Sequence, residues 1–330
     1  MSTPWIDGHG RTISYLRLSL TDRCDLRCVY CMAEDMQFIP RHQTLSLDEI
    51  YRLCQIFVSQ GTRKIRFTGG EPLIYPSLLE LCKKVSALPG LSELVLTTNG
   101  ARLAALAKPL QQAGVKRLNI SLDTLKPERF RKMTRIGKLD HTLAGIKAAQ
   151  AAGFTQIKLN SVILHGQNDD EIIDLVSFAT EQQVDITFIE EMPLGDVGRD
   201  RSLNLFTSDQ VHDLIKQHWS IAPCTANSGG PARYFELPDH PATRVGFISP
   251  HSHNFCTTCN RVRLTAEGQL LLCLGHENAI DLRHLLRTHP TDNQPIIDAI
   301  QHGLLNKPLK HDFKTDGDIA VIRFMNASGG

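Results

Sequence analysis

The segment that decides the fold is TDRCDLRCVYCM, residues 21–32, in which three cysteines follow the spacing C-x3-C-x2-C. This spacing lets one tight loop present Cys24, Cys28 and Cys31 to a single inorganic centre. A structural zinc site normally takes four ligands and a [4Fe–4S] cluster has four irons, so three cysteines leave one metal position open. An open position can bind the amino and carboxylate groups of a small molecule. The alternative is a zinc site completed by His42 or a more distant residue.

A glycine pair and an acid lie downstream, in FTGGEPL at residues 67–73, directly after a predicted strand. Glycine permits close approach of the backbone to a ligand. Taken alone, the motif also fits an ordinary turn between a strand and a helix. Its combination with the cysteine cluster at this distance makes the motif a specific indication of a functional site instead of an ordinary turn.

Short apolar runs rich in β-forming residues alternate with helical patterns over almost 200 residues. The six predicted strands begin at Ser14, Ile65, Glu93, Arg117, Ile157 and Ile186. The first helix is predicted to begin at Ser46, because Glu49 three residues later completes a capping-box pattern. Further helices are predicted near 77–88, 102–113, 140–152 and 169–182.

Strand–helix units in series require a parallel sheet with right-handed crossovers. We therefore predict an α/β fold in which six units form a partial TIM-type βα barrel, with functional motifs after the strands. A doubly wound open sheet fits the same periodicity. Residues 1–222 are assigned to the barrel. Residues 223–330 are assigned to a C-terminal region, which contains the turn-rich segment 227–231. After that segment we predict short antiparallel strands and helices near 280–288 and 294–305.

A second cysteine cluster occurs in residues 254–274, where Cys256, Cys259 and Cys273 follow the spacing C-x2-C-x13-C. The thirteen intervening residues predict a β-hairpin with a two-residue loop at Glu267-Gly268. That loop would place Cys273 opposite Val262 and return it to the other two cysteines.

The sequence does not identify a fourth ligand for the second cysteine cluster. Cys224 could complete a zinc ribbon, and His251 and His253 are close in sequence, although we expect both histidines to be exposed to solvent. Cys54 and Cys82 fall among apolar residues on predicted helices and are expected to be small core side chains.

Arg261 and Arg263 alternate along the first hairpin strand and therefore point to one face beside the second cluster. Two guanidinium groups there would form a clamp for phosphate oxygens. A solvated strand face is the alternative.

Composition excludes several classes of partner. The chain has 36 Lys and Arg against 35 Asp and Glu, so its overall charge favours neither nucleic acid nor an anionic membrane. We see no signal peptide and no apolar stretch that could span a bilayer, and we expect a cytoplasmic protein. The odd number of nine cysteines suits metal binding in a reducing compartment.

The first cluster, with Tyr30 before its third cysteine and GGEP downstream, resembles the radical S-adenosylmethionine (SAM) superfamily. The second cluster narrows the resemblance to the GTP 3′,8-cyclase family of molybdenum cofactor biosynthesis. The motifs that carry it are LRLSLTDRCDLRCVYCM, IRFTGGEPL, LTTNG, ISLDTL, IKLNSVI, FIEEMPLG, FCTTCNRVRLTAEGQLLLCL and a C-terminal Gly-Gly.

The resemblance implies two [4Fe–4S] clusters, each held by one set of three cysteines, with SAM at the first cluster and GTP at the second. A 5′-deoxyadenosyl radical from SAM would abstract the ribose C3′ hydrogen of GTP. The C3′ radical would then add to guanine C8 and give 3′,8-cyclo-7,8-dihydro-GTP.

Residue roles follow from the same resemblance. The SAM site would be lined by Tyr30, Gly70, Ser121 and Met192. GTP would be contacted by Arg17, Arg66, Thr97, Lys158, Arg261 and Arg263. Catalytic roles would fall to the first three cysteines together with Arg17, Arg261 and Arg263, and the tail residues Gly329 and Gly330 would reach the active site.

The expected partners are GTP, a reductant for the cluster, a second copy of the chain in a homodimer, and cyclic pyranopterin monophosphate synthase as recipient of the product. Two other functions fit parts of the pattern. One is a radical SAM peptide-modifying enzyme with an auxiliary cluster, and the other is a binding module with two structural zinc sites.

Overall fold

The structure is a computed structural model that describes residues 4–198, 205–313, 319 and 321–329. The predicted contribution of Gly330 therefore lies outside the described residues. Within them, no helix is long and apolar enough to cross a membrane.

The described residues contain twelve strands in one mixed sheet. In chain order the strands are β1 (Tyr15–Ser19), β2 (Lys64–Thr68), β3 (Glu93–Thr98), β4 (Arg117–Ser121), β5 (Ile157–Ile163), β6 (Asp185–Glu190), β7 (Ala222–Pro223), β8 (Arg233–Glu236), β9 (Arg244–Ile248), β10 (Arg261–Leu264), β11 (Gln269–Leu271) and β12 (Ala279–Asp281). The helices are α1 (Leu47–Ser59), α2 (Leu78–Ser86), α3 (Leu103–Gln112), α4 (Pro127–Thr134), α5 (Leu139–Ala151), α6 (Ile172–Glu181), α7 (Ser208–His218), α8 (Leu282–Thr288), α9 (Gln294–Leu305) and α10 (Met325–Ser328).

Strands β1 to β6 lie side by side in chain order and pair in parallel, with helices between them. The six predicted strand–helix units are thus confirmed. All five residues of β2 are buried, as expected for a parallel strand covered on both faces. Three helices were not predicted: α4 and α7 contain few apolar residues, and α10 is a single turn of four residues.

The predicted antiparallel pairing of the C-terminal strands is confirmed for β7 with β8, β8 with β9, β10 with β11, and β11 with β12, but two of these strands also join the barrel strands in parallel. Strand β9 pairs in parallel with β6 and β10 pairs in parallel with β1, so the parallel part of the sheet has eight strands. Long stretches of chain separate each of these strands from its parallel neighbour and permit the pairing. The added strands also pair backbone groups that an open sheet edge would leave unpaired. Strands from both sides of the predicted boundary at 222/223 therefore belong to one sheet.

The start of α1 confirms the predicted capping box. The Ser46 hydroxyl accepts a hydrogen bond from the Glu49 amide at 3.2 Å, and the Glu49 carboxylate accepts one from the Ser46 amide at 2.8 Å. The apolar face of α1 packs into the core, where Cys54 is completely buried. Cys82 on α2 is also completely buried, and burial raises the pKa of its thiol to about 12. Both cysteines are core side chains, as predicted.

The predicted two-residue loop of the β10–β11 hairpin was wrong by one residue. Arg263 pairs with Leu271, and the Thr265 amide donates to the Gln269 carbonyl at 3.0 Å, which leaves three residues in the loop. The third loop residue, Gly268, has a φ of 85°. A left-handed third residue is typical of three-residue hairpin loops. Continued along the strands, this register puts Cys273 opposite Arg261 instead of Val262.

The left-handed backbone at Gly268 generates a stability prediction. An alanine Cβ there would stand 2.8 Å from Cβ of Arg283, in addition to the strain of a positive φ. We expect Gly268→Ala to lower the free energy of unfolding by about 1–2 kcal/mol through strain alone and by about a further 1 kcal/mol through the contact. The matched control is Gly153→Ala, because Gly153 has a φ of 86° but no neighbour within 4 Å of its would-be Cβ. Urea unfolding of both variants measures the difference, and equal losses would contradict the packing described here.

Candidate active site

A central cavity of about 260 Å³ is lined by residues at and just after the carboxyl ends of β2, β3, β4 and β6, together with residues from the strand interiors. Residues of β10 at one end of the parallel strands and of β9 at the other line the same cavity. Eight flat strands at about 4.8 Å spacing would separate those ends by about 34 Å. The sheet therefore curves around the cavity, as the predicted partial barrel requires.

The structure brings the predicted site residues together. Those that line the central cavity are Arg17, Cys24, Cys28, Tyr30, Cys31, Arg66, Gly70, Thr97, Ser121, Lys158, Met192, Cys256, Cys259, Arg261, Arg263 and Cys273. The lining also includes residues to which the sequence interpretation gave no role: Tyr15, Asn99, Asp123 and Lys307. Glu71 was noticed only as the acid of the GGEP motif.

The first cysteine trio (Cys24, Cys28, Cys31) lies on the loop between β1 and α1. The loop is held to α4 by backbone hydrogen bonds, including one from the Val29 amide to the Met133 carbonyl at 2.9 Å. Burial raises the pKa of Cys24 and of Cys31 to about 12, and the nearby Glu71 charge adds to the effect at Cys24. Metal binding here must therefore displace thiol protons.

The glycine pair of GGEP packs directly against this loop. The Gly70 amide donates to the Thr21 carbonyl at 2.6 Å, and a Cβ at Gly70 would stand 2.1 Å from the Arg23 carbonyl oxygen. The glycine is required because two backbones approach this closely.

Glu71 ties the same turn to the end of β3. Its carboxylate accepts hydrogen bonds from the Thr98 hydroxyl at 2.7 Å and from the Asn99 amide at 2.7 Å. Burial raises the pKa of Glu71 to about 7. The motif therefore fixes the position of the first cysteine trio as well as lining the cavity.

Asp123, at the end of β4, orients Tyr30. The Tyr30 hydroxyl donates to Asp123 at 2.8 Å, and the Val162 amide donates to the other carboxylate oxygen at 2.8 Å. Burial raises the pKa of Asp123 to about 6, although both donors oppose the shift. The sequence motif ISLDTL contained this residue, but nothing in its spacing identified Tyr30 as its partner.

The second cysteine trio (Cys256, Cys259, Cys273) comes from a short turn before β10 and from the end of the hairpin. The turn is closed by a hydrogen bond from the Cys259 amide to the Cys256 carbonyl at 3.1 Å. Burial would raise the pKa of Cys259, but the charges of Arg261 and Lys307 outweigh it and the net shift is downward. The second trio therefore has cationic surroundings.

The other candidate ligands of the second trio lie outside the central cavity. His251 is half-buried, contrary to the exposed position predicted, and its Nε2 lies 2.8 Å from the Glu191 carbonyl oxygen. His253 is exposed, as predicted, and its Nε2 lies 2.7 Å from the Asp209 carboxylate. Cys224 lines a separate surface depression of about 280 Å³, which Cys259 also borders.

Cationic side chains cluster at the strand-interior end of the cavity. Arg66 donates to the Thr97 hydroxyl at 2.8 Å and to the Tyr15 hydroxyl, and Lys158 donates to the Tyr234 hydroxyl at 3.1 Å. Among the described residues, no carboxylate forms an ion pair with Arg66, Lys158, Arg261 or Arg263.

The positive charge of these cationic side chains changes the pKa of Tyr15. Burial alone would raise the pKa of Tyr15, but Arg66, Arg17 and Lys64 outweigh it and lower the pKa to about 7. A site with this field favours an anionic ligand.

The C-terminal tail reaches the same place. The Gly329 carbonyl accepts hydrogen bonds from Arg263 and, at 3.4 Å, from Arg17. The Met325 amide donates to the Cys31 carbonyl at 3.2 Å, so the tail also packs on the first cysteine loop. Gly329 therefore contacts two arginines that line the cavity, and a role of the tail in the active site stays a prediction.

Comparison with known families gives two matches that together span most of the chain. Residues 18–179 match the radical SAM superfamily, and residues 184–313 match the family described as Molybdenum Cofactor Synthesis C.

Curated relatives match over nearly the full length. The chain is 60% identical to GTP 3′,8-cyclase 1 of Pseudomonas aeruginosa over 328 residues, covering 99% of this chain and 100% of the relative. It is 56% identical to GTP 3′,8-cyclase of Pseudomonas entomophila and 55% identical to that of Marinobacter nauticus, with 98% of each chain covered in both comparisons.

Among solved structures, the chain is similar to SuiB of Streptococcus suis bound to S-adenosylmethionine, with a TM-score of 0.59 and 17% identity over 91% of this chain and 71% of SuiB. A second SuiB structure gives a TM-score of 0.61 at 16% identity, over 89% of this chain and 69% of SuiB. At this identity the likeness supports the fold alone, and it confirms the predicted fold class.

The buried carboxyl of Asp123 generates a pH prediction. Its folded-state pKa of about 6 exceeds its ordinary value of 3.8, so its stabilising contribution is present below 3.8 and is lost as the pH rises through about 6. Asp123→Asn removes this dependence. Relative to wild type, its free energy of unfolding should therefore rise by about 2 kcal/mol between about pH 4 and about pH 7.

Urea unfolding of the metal-free protein across this range tests the prediction, with the same substitution at the exposed Asp140 as control. A difference between Asp123→Asn and wild type that does not change with pH would show that Asp123 is ionised at an ordinary pKa.

Proposed function

The chain belongs to the GTP 3′,8-cyclase family of the radical SAM superfamily, and we propose that it converts GTP to 3′,8-cyclo-7,8-dihydro-GTP in the first step of molybdenum cofactor biosynthesis. One arrangement supports this activity most directly. Two cysteine trios line a single cavity, and buried cations without carboxylate partners among the described residues line the same cavity.

The donors of both trios suit iron–sulfur clusters. Among the described residues, no three His, Cys, Asp or Glu side chains are placed to hold a single metal ion. In a [4Fe–4S] cluster each thiolate binds a separate iron, so the donors need not converge on one point. We assign one cluster to the first cysteine trio and one to the second. When bound, the clusters and SAM supply the electron and the radical chemistry that joins ribose C3′ to guanine C8.

The SAM site is assigned to Tyr30, Gly70, Ser121 and Met192, which line the same cavity as the first cysteine trio. Asp123 holds the phenol of Tyr30 in one orientation. Gly70 keeps the cysteine loop against the barrel, because any side chain there would collide with it. These residues position a cosubstrate instead of exchanging protons with it, and the apolar part of the cavity wall limits access of water.

The GTP site is assigned to Arg17, Arg66, Thr97, Lys158, Arg261 and Arg263. Lys158 and Arg66 are 7% and 5% exposed, so their charges act in a poorly solvated setting where a phosphate gains most from them. Arginine offers phosphate two parallel donors and lysine a point charge. The tail carbonyl of Gly329 holds Arg17 and Arg263 against the cavity and so fixes two of the six side chains.

The remaining partners are proposed from family membership. We propose a homodimeric cytoplasmic lyase that receives electrons from a low-potential reductant and passes its product to cyclic pyranopterin monophosphate synthase.

The activity is tested with the reconstituted enzyme under anaerobic conditions. Incubation with SAM, dithionite and GTP should give a cyclised nucleotide, identified by mass spectrometry together with 5′-deoxyadenosine. Lys158→Met removes a charged contact and should weaken GTP binding by about tenfold to a hundredfold. Lys116→Met, at an exposed lysine just before β4, should bind GTP like wild type.

Cleavage of SAM without any product derived from GTP would contradict the proposed reaction and would favour a peptide-modifying enzyme. Equal GTP affinity of the Lys158 and Lys116 variants would contradict the assigned phosphate contacts.

A further inference from the structure

The two cysteine trios lie in opposite electrostatic surroundings. Acidic side chains, Glu71 and Asp123, lie beside the first trio and are almost completely buried. Beside the second trio lie two buried cations, Arg11 from the N-terminal segment and Lys307 from the residues after α9, together with one buried acid, Asp7, which pairs with Arg11. Neither of these two cations belongs to the proposed GTP contacts.

Arg11 connects three parts of the chain at the second trio. It forms an ion pair with Asp7 at 2.6 Å, and both side chains are buried. One guanidinium nitrogen donates to the Cys256 carbonyl at 2.7 Å and to the Leu309 carbonyl at 3.0 Å. Because Asp7 balances its charge, Arg11 acts as a brace that fixes the cysteine turn relative to residues 307–309.

Lys307 supplies the charge that this brace holds in place. Its side chain is only 2% exposed, lines the central cavity and donates to the Leu272 carbonyl, the residue before Cys273. No described carboxylate forms an ion pair with it. An ammonium buried without a counter-charge is costly, so its retention calls for an anion beside it.

Resting on the cluster assignment made above, we propose that Lys307, positioned by Arg11, makes the centre on the second cysteine trio easier to reduce. Three thiolates and a reduced cluster concentrate negative charge at this point. A fixed cation stabilises the reduced form more than the oxidised form, and burial limits screening of that interaction by solvent and salt. Beside the first trio the buried ionisable groups are acids, and the cation that contacts it, Arg27, is only partly buried and therefore more strongly screened.

The test isolates the second centre in the full-length chain by replacing the three cysteines of the first trio with alanine. After anaerobic reconstitution, the reduction midpoint is measured by electron paramagnetic resonance at controlled potentials. Lys307→Gln keeps a hydrogen-bond donor but removes the charge, and Lys307→Arg keeps the charge. Lys310→Gln removes an exposed lysine three residues away and is the matched control.

We expect Lys307→Gln to lower the ratio of reduced to oxidised second centre at a fixed potential by at least about tenfold, a shift of about 59 mV for one electron. The Lys307→Arg and Lys310→Gln chains should stay within about threefold of the parent, which is at most about half of that shift. An unchanged midpoint in Lys307→Gln with full iron content would overturn the proposal.

Iron content separates this proposal from the cluster assignment. If the parent chain with an intact second trio binds no iron–sulfur cluster, the cluster assignment itself fails. If Lys307→Gln loses its iron while Lys307→Arg keeps it, the charge at residue 307 is required to hold the second centre instead of to adjust its reduction, and the proposal is overturned. Loss of iron in both variants would mean that the size and shape of the lysine matter instead of its charge, and would overturn the proposal.

Discussion

Positive charge buried without carboxylate partners is the constraint on which the rest of this structure depends. Arg66 and Lys158 lie inside the sheet, and the two arginines of β10 face the same cavity. Burial of such groups is unfavourable unless hydrogen bonds or an anion compensate for the lost water. Hydroxyl groups of Thr97 and Tyr234 provide part of that compensation. A bound triphosphate would provide the remainder, so the cavity is organised for a ligand that the chain does not itself supply.

The curvature of the parallel sheet makes this concentration of charge possible. Strand β10 returns to the open side of β1, so Arg261 and Arg263 lie beside Arg17. The same return brings the second cysteine trio to the cavity that already contains the first. The tail then adds the Gly329 carbonyl as an acceptor between two arginines, which limits the repulsion between them. The pairing of β1 with β10 and the contact of Arg17 with Gly329 each join residues more than 200 positions apart in sequence. Together with the contact of Arg263 with Gly329, they bind the C-terminal region to the barrel.

Much of the fold could be predicted because its signals are local. The capping box at Ser46 and the six alternating strands and helices follow from spacing and composition. The parallel pairing of β9 and β10 could not be predicted, since it depends on which sheet edge is available after the barrel has formed. The hairpin register was missed because a left-handed Gly268 allows a two-residue or a three-residue loop. In the site, cysteine spacing identified both trios. The sequence indicated no role for Asp123, Lys307 and Tyr15, because only tertiary packing brings these residues to their partners.

The central claim is that each cysteine trio holds its own iron–sulfur cluster in the shared cavity. Anaerobic quantification of iron and sulfide tests it most directly, with wild type beside Cys24→Ser and Cys273→Ser. Two [4Fe–4S] clusters require about eight irons per chain in wild type. We expect each single variant to lose about half of that iron and about half of the sulfide. Retention of the full complement in either variant, or zinc in place of iron in wild type, would contradict it.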